Sequence, residues 1–192
     1  MTVWFQPNVE RATGEGWGTG VINRGEALWV DFGVIALGLH TDTQHLGYVL
    51  KEGEVAPPAG LRQCIATSNR LQDILLAEMT PGRTGNEALK AARAAMTAEG
   101  ITGTIYTHPV GDRGHAAGPL IGLWDRQEGV PVRGDLKLRP GTWFSIELQA
   151  TTAIPEWGDR PLACRQEEEA YLDDKGERHW AYRRQERFHL VR

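Results

Sequence analysis

Hydrophobic and polar positions along the chain fall into stretches of period two and stretches of period three to four. In residues 25–44, GEALWVDFGVIALGLHTDTQ, positions 27–32 are apolar and β-prone and positions 39–43 alternate in polarity, which predicts a β-hairpin turning at Ala36-Leu37-Gly38. If the arms fold back between Ala36 and Leu37, Asp31 and Asp42 become cross-strand partners on one face, with Cβ atoms roughly 5 Å apart. The chain continues extended through Tyr48-Val49-Leu50 to a break at Pro57-Pro58. From Gly60, the residues Leu61, Ile65, Ser68, Leu71, Leu75 and Met79 recur at spacings of three and four and predict a helix ended by Thr80-Pro81-Gly82. Thr84-x-x-Glu87 forms a capping box for a second helix that runs through Leu89, Ala92, Ala95 and Met96 to Gly100. Beyond Ile101 the strand pattern returns at 103–110, 143–149, 167–172 and 179–190, the last two joined by a turn at Asp173-Asp174-Lys175-Gly176. Ahead of the hairpin, Val3-Trp4-Phe5 predicts a strand halted by Pro7, and residues 10–20 a glycine-dense loop. Gly16, Gly18 and Gly20 are too widely placed, and lack the following helix, to form a phosphate-binding loop.

Composition narrows the picture only a little. At 192 residues the chain fits one domain able to bury a core. Its net charge of −4 and dispersed basic residues argue against a nucleic-acid or anionic-membrane partner. No apolar run approaches the roughly 20 residues of a membrane span, and the start lacks the features of a secretory signal, so a cytoplasmic location is expected. Cys64 and Cys164 are too few for a disulfide framework and read as buried small hydrophobes, with a bridge between them left open. The seven tryptophans read as core and sheet packing.

The chemistry-bearing residues fall on the predicted strands. Asp31 and Asp42 sit on the hairpin, and His108 and His115 stand seven apart. Glu147 interrupts the apolar run Trp143-Phe144-Ser145-Ile146-Glu147-Leu148, and three glutamates follow in Arg165-Gln166-Glu167-Glu168-Glu169. A carboxylate buried without a partner is costly and calls for a cation, a hydrogen-bond cage or exposure. Two carboxylates facing each other repel, and a divalent cation between them converts the repulsion into shared coordination. Two Asp, one or two His and two Glu make an inventory suited to two divalent ions of the Mn²⁺, Co²⁺, Fe²⁺ or Zn²⁺ type.

The order and spacing of these residues resemble the pita-bread metallopeptidases, the family of methionine aminopeptidase, aminopeptidase P and prolidase. The resemblance rests on Asp31 and Asp42 eleven apart, His108-Pro-Val-Gly111 followed by His115, Ser145-Ile146-Glu147, Arg165-Gln166-Glu167, and the Pro81-Gly82-Arg83-Thr84 run ahead of the second helix. It implies an α+β pita-bread fold, a curved, mostly antiparallel sheet with helices on one face, in a single catalytic domain spanning 1–192. It also implies that Asp31, Asp42, His108, Glu147 and Glu167 hold the metals, with Asp42 and Glu167 bridging and Glu168 the alternative last ligand. Glu147 doubles as the proton acceptor, and His115 steadies the tetrahedral intermediate. The implied activity is hydrolysis of a short peptide by a metal-bridged hydroxide, of aminopeptidase or X-Pro type; the alternative is a non-catalytic peptide- or protein-binding member of the scaffold. Two departures stand out. The N-terminal helical pair of the family is missing, so the chain is expected to be a fragment or to have its exposed sheet covered by a partner or, in a homo-oligomer, by another subunit. Thr13-Gly14 also stands where the family has a substrate-binding histidine.

Overall fold

The structure is a computed structural model that describes residues 8–13, 16–111 and 114–192. The expected strand at Val3-Trp4-Phe5 lies outside the described residues. In chain order the elements are β1 (Asn8–Thr13), β2 (Gly16–Gly18), β3 (Ala27–Phe32), β4 (Ile35–Ala36), β5 (Leu39–His40), β6 (Thr43–Val49), α1 (Ala59–Glu78) and α2 (Gly85–Ala98). There follow β7 (Thr102–Gly111), β8 (Gly114–His115), β9 (Thr142–Ile154), β10 (Arg160–Leu172), β11 (Arg178–Trp180) and β12 (His189–Val191). One sheet takes the order β2-β1-β3-β6-β10-β9-β7-β8, with β11 on β10 and β12 on β6; its pairings are antiparallel except β12 with β6.

Both helices form where the apolar spacing places them. Thr84 caps α2: its side chain accepts from the Glu87 N–H and the Glu87 carboxylate accepts from the Thr84 N–H, satisfying two otherwise orphaned donors. α1 buries Leu71, Ile74 and Leu75 against Phe144, Ile146 and Leu148 of β9. The same buried face carries Ser68 and Gln72, which donate to the carbonyls of Cys164 and Ile146 at 3.1 and 3.3 Å. This matches the rule that a buried polar group needs a partner. A second cluster joins Trp29, Leu46, Leu61 and Phe188 to Cys64 and Cys164. The two cysteines form a disulfide with Cα atoms 5.9 Å apart that ties α1 to β10. The bridge is thus realised, in place of two free buried thiols.

Three sequence expectations are corrected. The hairpin turns one residue later than expected, between Leu37 and Gly38, because both adopt positive φ (54° and 79°) as the two central residues of a tight hairpin turn. Asp31 therefore pairs with Gln44, not Asp42, and Asp42 lies in the gap between β5 and β6. Moving the turn by one residue shifts the partner by two positions, and the period of two keeps Asp31 and Asp42 on one face. Residues 10–20 are not simply loop, since β1 and β2 pair with each other and β1 extends onto β3. Backbone pairing at the sheet edge recruits residues that show no apolar alternation. The strand expected over 179–190 is split into β11 and β12 by an irregular segment that returns across the sheet to β6.

Between β6 and β10 the sheet is narrowly joined. Their backbones pair at one position, Glu167 against Gln44. Where they diverge, Gln185 fills the gap: its side chain accepts from the Leu46 N–H at 2.8 Å and donates to the Leu46 carbonyl at 2.6 Å. Its backbone N–H donates to Glu168 at 2.7 Å, and its carbonyl accepts from Gln166 at 3.1 Å. A side-chain amide here replaces the missing rungs of a strand ladder.

Candidate metal centre

Residues directly opposite in neighbouring strands share a face. Successive registers set Asp31 against Gln44, Gln44 against Glu167, Glu167 against Glu147 and Glu147 against Tyr106. Five strands thus contribute one polar row to the face away from the helices. His108 lies two residues beyond Tyr106 on β7, and Ser145 lies beside it on β9.

The row's side chains converge. The ligand-capable atoms of Asp31, Asp42 and Glu167 lie within 4.8 Å of one another, as do those of His108, Glu147 and Glu167, and those of Asp42, His108 and His115. His108 Nε2 is 3.3 Å from Glu167 and 3.8 Å from both Asp42 and Glu147. His115 approaches Asp42 at 3.0 Å and stacks on His108 with ring centroids 3.9 Å apart. Supporting groups fix the carboxylates. Gln44 donates to Glu147 at 2.6 Å and is itself held by the Trp29 indole N–H at 3.0 Å. Ser145 donates to Glu167 at 2.5 Å, and the Asp42 N–H donates to Glu169 at 2.9 Å.

Burial and crowding set the charges. Burial, then the neighbouring Glu167, pushes the Glu147 carboxyl up to about 9. Burial and then Asp42 raise Asp31 to about 6 and hold Glu167 well above the ordinary carboxylate range. His108 is pushed down, first by burial and then by His115, whereas the hydrogen bond to Asp42 raises His115. His108 Nδ1 faces the Pro109 carbonyl at 3.2 Å. A carbonyl only accepts, so Nδ1 carries the proton and Nε2 of the neutral ring presents its lone pair. That nitrogen is buried and has no hydrogen-bond partner. A buried lone pair with no donor, aimed among three carboxyl groups of which burial and crowding keep two, Glu147 and Glu167, from ionising, is the arrangement a cation would complete, and a backbone carbonyl behind the ring is the usual support of a metal-binding imidazole. The donor set therefore fits divalent cations.

All five residues expected as ligands, with His115, are brought together. Glu168 falls on the opposite face, where it accepts from Gln185 and lies 3.4 Å from His45. Sequence reasoning passed over Gln44 and Tyr106, although each shares a strand face with a residue it singled out, and it gave Glu169 no separate role. It also assigned the tryptophans to packing alone. Trp29 and Trp124, with Thr104, Gln149 and Arg165, line a 410 Å³ cavity against the polar row, and the Arg165 guanidinium lies 4.8 Å from the Trp29 ring centre.

Among curated proteins no sequence match is found. Solved structures match in fold. The X-Pro aminopeptidase of Thermotoga maritima superposes with a TM-score of 0.68 at 18% identity, over 97% of this chain and 49% of that one. For the Xaa-Pro dipeptidase of Bacillus anthracis the values are 0.62, 21%, 91% and 44%. The methionine aminopeptidase of Rickettsia prowazekii gives 0.62 at 15% identity over 92% of this chain and 72% of that one. The chain spans about half the length of the X-Pro aminopeptidase. The model of metallopeptidase family M24 matches residues 2–174, and the curled antiparallel sheet with two helices is the pita-bread fold of its neighbours: the chain belongs to metallopeptidase family M24.

Proposed function

We propose that the chain is a dinuclear-metal-dependent peptidase of aminopeptidase or X-Pro type. The observation that carries this reading is the buried His108 Nε2, without a hydrogen-bond partner among Asp42, Glu147 and Glu167. Asp31, Asp42, His108, Glu147 and Glu167 would hold the two ions. Two divalent ions supply a water acidified to near neutrality and polarise the scissile carbonyl.

The chain's own groups have separate tasks. Gln44 occupies one oxygen of Glu147 and leaves the other facing the cluster, oriented to accept a proton from the attacking water and pass it to the leaving amine. His115, held against Asp42, presents a donor edge toward charge that develops on the carbonyl oxygen. Trp29 and Trp124 exclude water from the cavity where the N-terminal side of a peptide would rest.

The test is metal content per chain after loading with manganese, cobalt, iron or zinc, together with hydrolysis of short peptides. About two ions and turnover abolished by Asp31→Ala are expected; less than one ion per chain ends the reading. A second reading, a non-catalytic peptide- or protein-binding member of the scaffold, is favoured by the lack of any histidine before His40. Tight peptide binding without turnover by metal-loaded protein would establish it.

A further inference from the structure

A second set of ligating side chains gathers on the face opposite the polar row. His45 follows Gln44 along β6 and Glu168 follows Glu167 along β10, so the alternation of a strand sends both away from the candidate metal centre. His189 reaches them from β12, which pairs with β6 beside Gly47. His45 stands between the other two: its Nε2 lies 3.4 Å from Glu168, and its Nδ1 lies 3.4 Å from Nε2 of His189. Opposite the carboxylate, Nε2 carries the ring proton, which leaves a lone pair on Nδ1. The contact with Glu168 is loose. Neither His45 Nε2 nor Glu168 Oε2 has a hydrogen-bond partner although both atoms are buried, and the Glu168 side chain is wholly enclosed. A cation at Nδ1 completes this arrangement, since it draws electron density from the imidazole and makes Nε2–H a stronger donor to the carboxylate behind it.

The distances suit such an ion. Two bonds of about 2.0–2.1 Å at a tetrahedral angle set their nitrogens roughly 3.4 Å apart, which is the separation between His45 and His189. His189 stands on an exposed strand, where its ring can turn to share one ligand point with His45. Burial and then His45 push the His189 pKa down, which keeps the ring neutral and able to ligate. Both rings line a cavity of 490 Å³ that leaves room for water in the remaining coordination positions. Two of its arginines are already engaged: Arg184 is held by Asp73 at 2.6 and 3.0 Å, and Arg183 lies 4.0 Å from Glu186. We propose that His45 and His189, backed by Glu168, form a second metal site that takes zinc, copper or nickel in preference to manganese. Imidazole suits those borderline ions, whereas an oxygen-rich set such as the polar row also suits manganese. The site is independent of the peptidase reading. An ion held there ties β12 to β6 and so secures the segment that carries Gln185.

The test counts zinc retained after equilibrium dialysis by protein already saturated with manganese. The parent should retain about one zinc ion per chain more than His189→Ala, a substitution that lies on an exposed strand and leaves the polar row untouched. His189→Cys should restore the ion, and a folded Glu168→Gln should bind it about 10–100-fold more weakly. The same difference should persist in an Asp31→Ala background, so that it stands whether or not the peptidase reading does. Equal zinc in the parent and His189→Ala overturns the proposal and leaves the pair a hydrogen bond between two imidazoles. A loss of the same size in His40→Ala also overturns it, as general binding to surface histidines.

Discussion

At Glu147 the protein buries a carboxyl whose ionisation is opposed by burial and by Glu167, and which titrates at about 9. In the metal-free protein this group holds its proton over a range where the unfolded chain has lost it, so the folded state binds more protons and stability falls as pH rises. The window runs from the ordinary carboxylate value of 4.5 to about 9, and Asp31, raised to about 6, adds to its lower part. Thermal unfolding in a chelator should therefore show a lower Tm at pH 8 than at pH 5.5. Saturating manganese should reverse that order, because ions bind the ionised forms. Glu147→Gln removes the need to take up that proton on folding. It should raise the metal-free stability at pH 8 by on the order of 1 kcal/mol and lower turnover by about 10²–10⁴-fold, as read by chelator-treated melts and peptide assays. The order and spacing of these residues were legible in the sequence through their likeness to the ligand order of the pita-bread metallopeptidases. Gln44 and Ser145 were not, since an amide or a hydroxyl on a strand carries no sign of its partner until the register is known.

On the scale of single elements, the helices and their boundaries were readable because cap chemistry and a 3.6-residue period are local. Strand register was not. The hairpin turn depends on a leucine with φ of 54°, a conformation sequence patterns assign to Gly or Asn, and Leu37 is 93% exposed with no packing to explain the choice. Leu37→Asn should relieve that strain and stabilise the protein by about 1 kcal/mol, seen as a higher midpoint in urea with unchanged slope. The disulfide joins residues 100 apart in sequence, and closing so long a loop restricts the unfolded chain strongly. Replacing both cysteines by alanine should cost about 2–5 kcal/mol, measurable by the same unfolding curves, and reductant should lower Tm in the parent but not in the double variant. The paired strands at 8–18 and the split of the final strand were illegible for a common reason: each is defined by the neighbour it pairs with, not by its own alternation.

Across the whole molecule, the candidate metal centre is assembled from two sections of sheet. Asp31 and Asp42 come from the β3–β6 side, and Glu167, Glu147 and His108 from β10, β9 and β7. One backbone pair joins the two sections directly, and Gln185, beyond the residues matched by the family model, completes the join. Gln185→Ala leaves both main-chain groups of Leu46 without these partners at a cost of about 1–3 kcal/mol for the buried groups. Manganese affinity should fall with it, although no metal-facing side chain changes; calorimetric titration of the folded variant checks this. The last eight residues thus serve as a latch for a centre they never touch. Removing residues 185–192 would leave every ligand proposed for that centre in place yet withdraw this support, and metal analysis of a variant ending at Arg184 should find fewer manganese ions bound than in the parent.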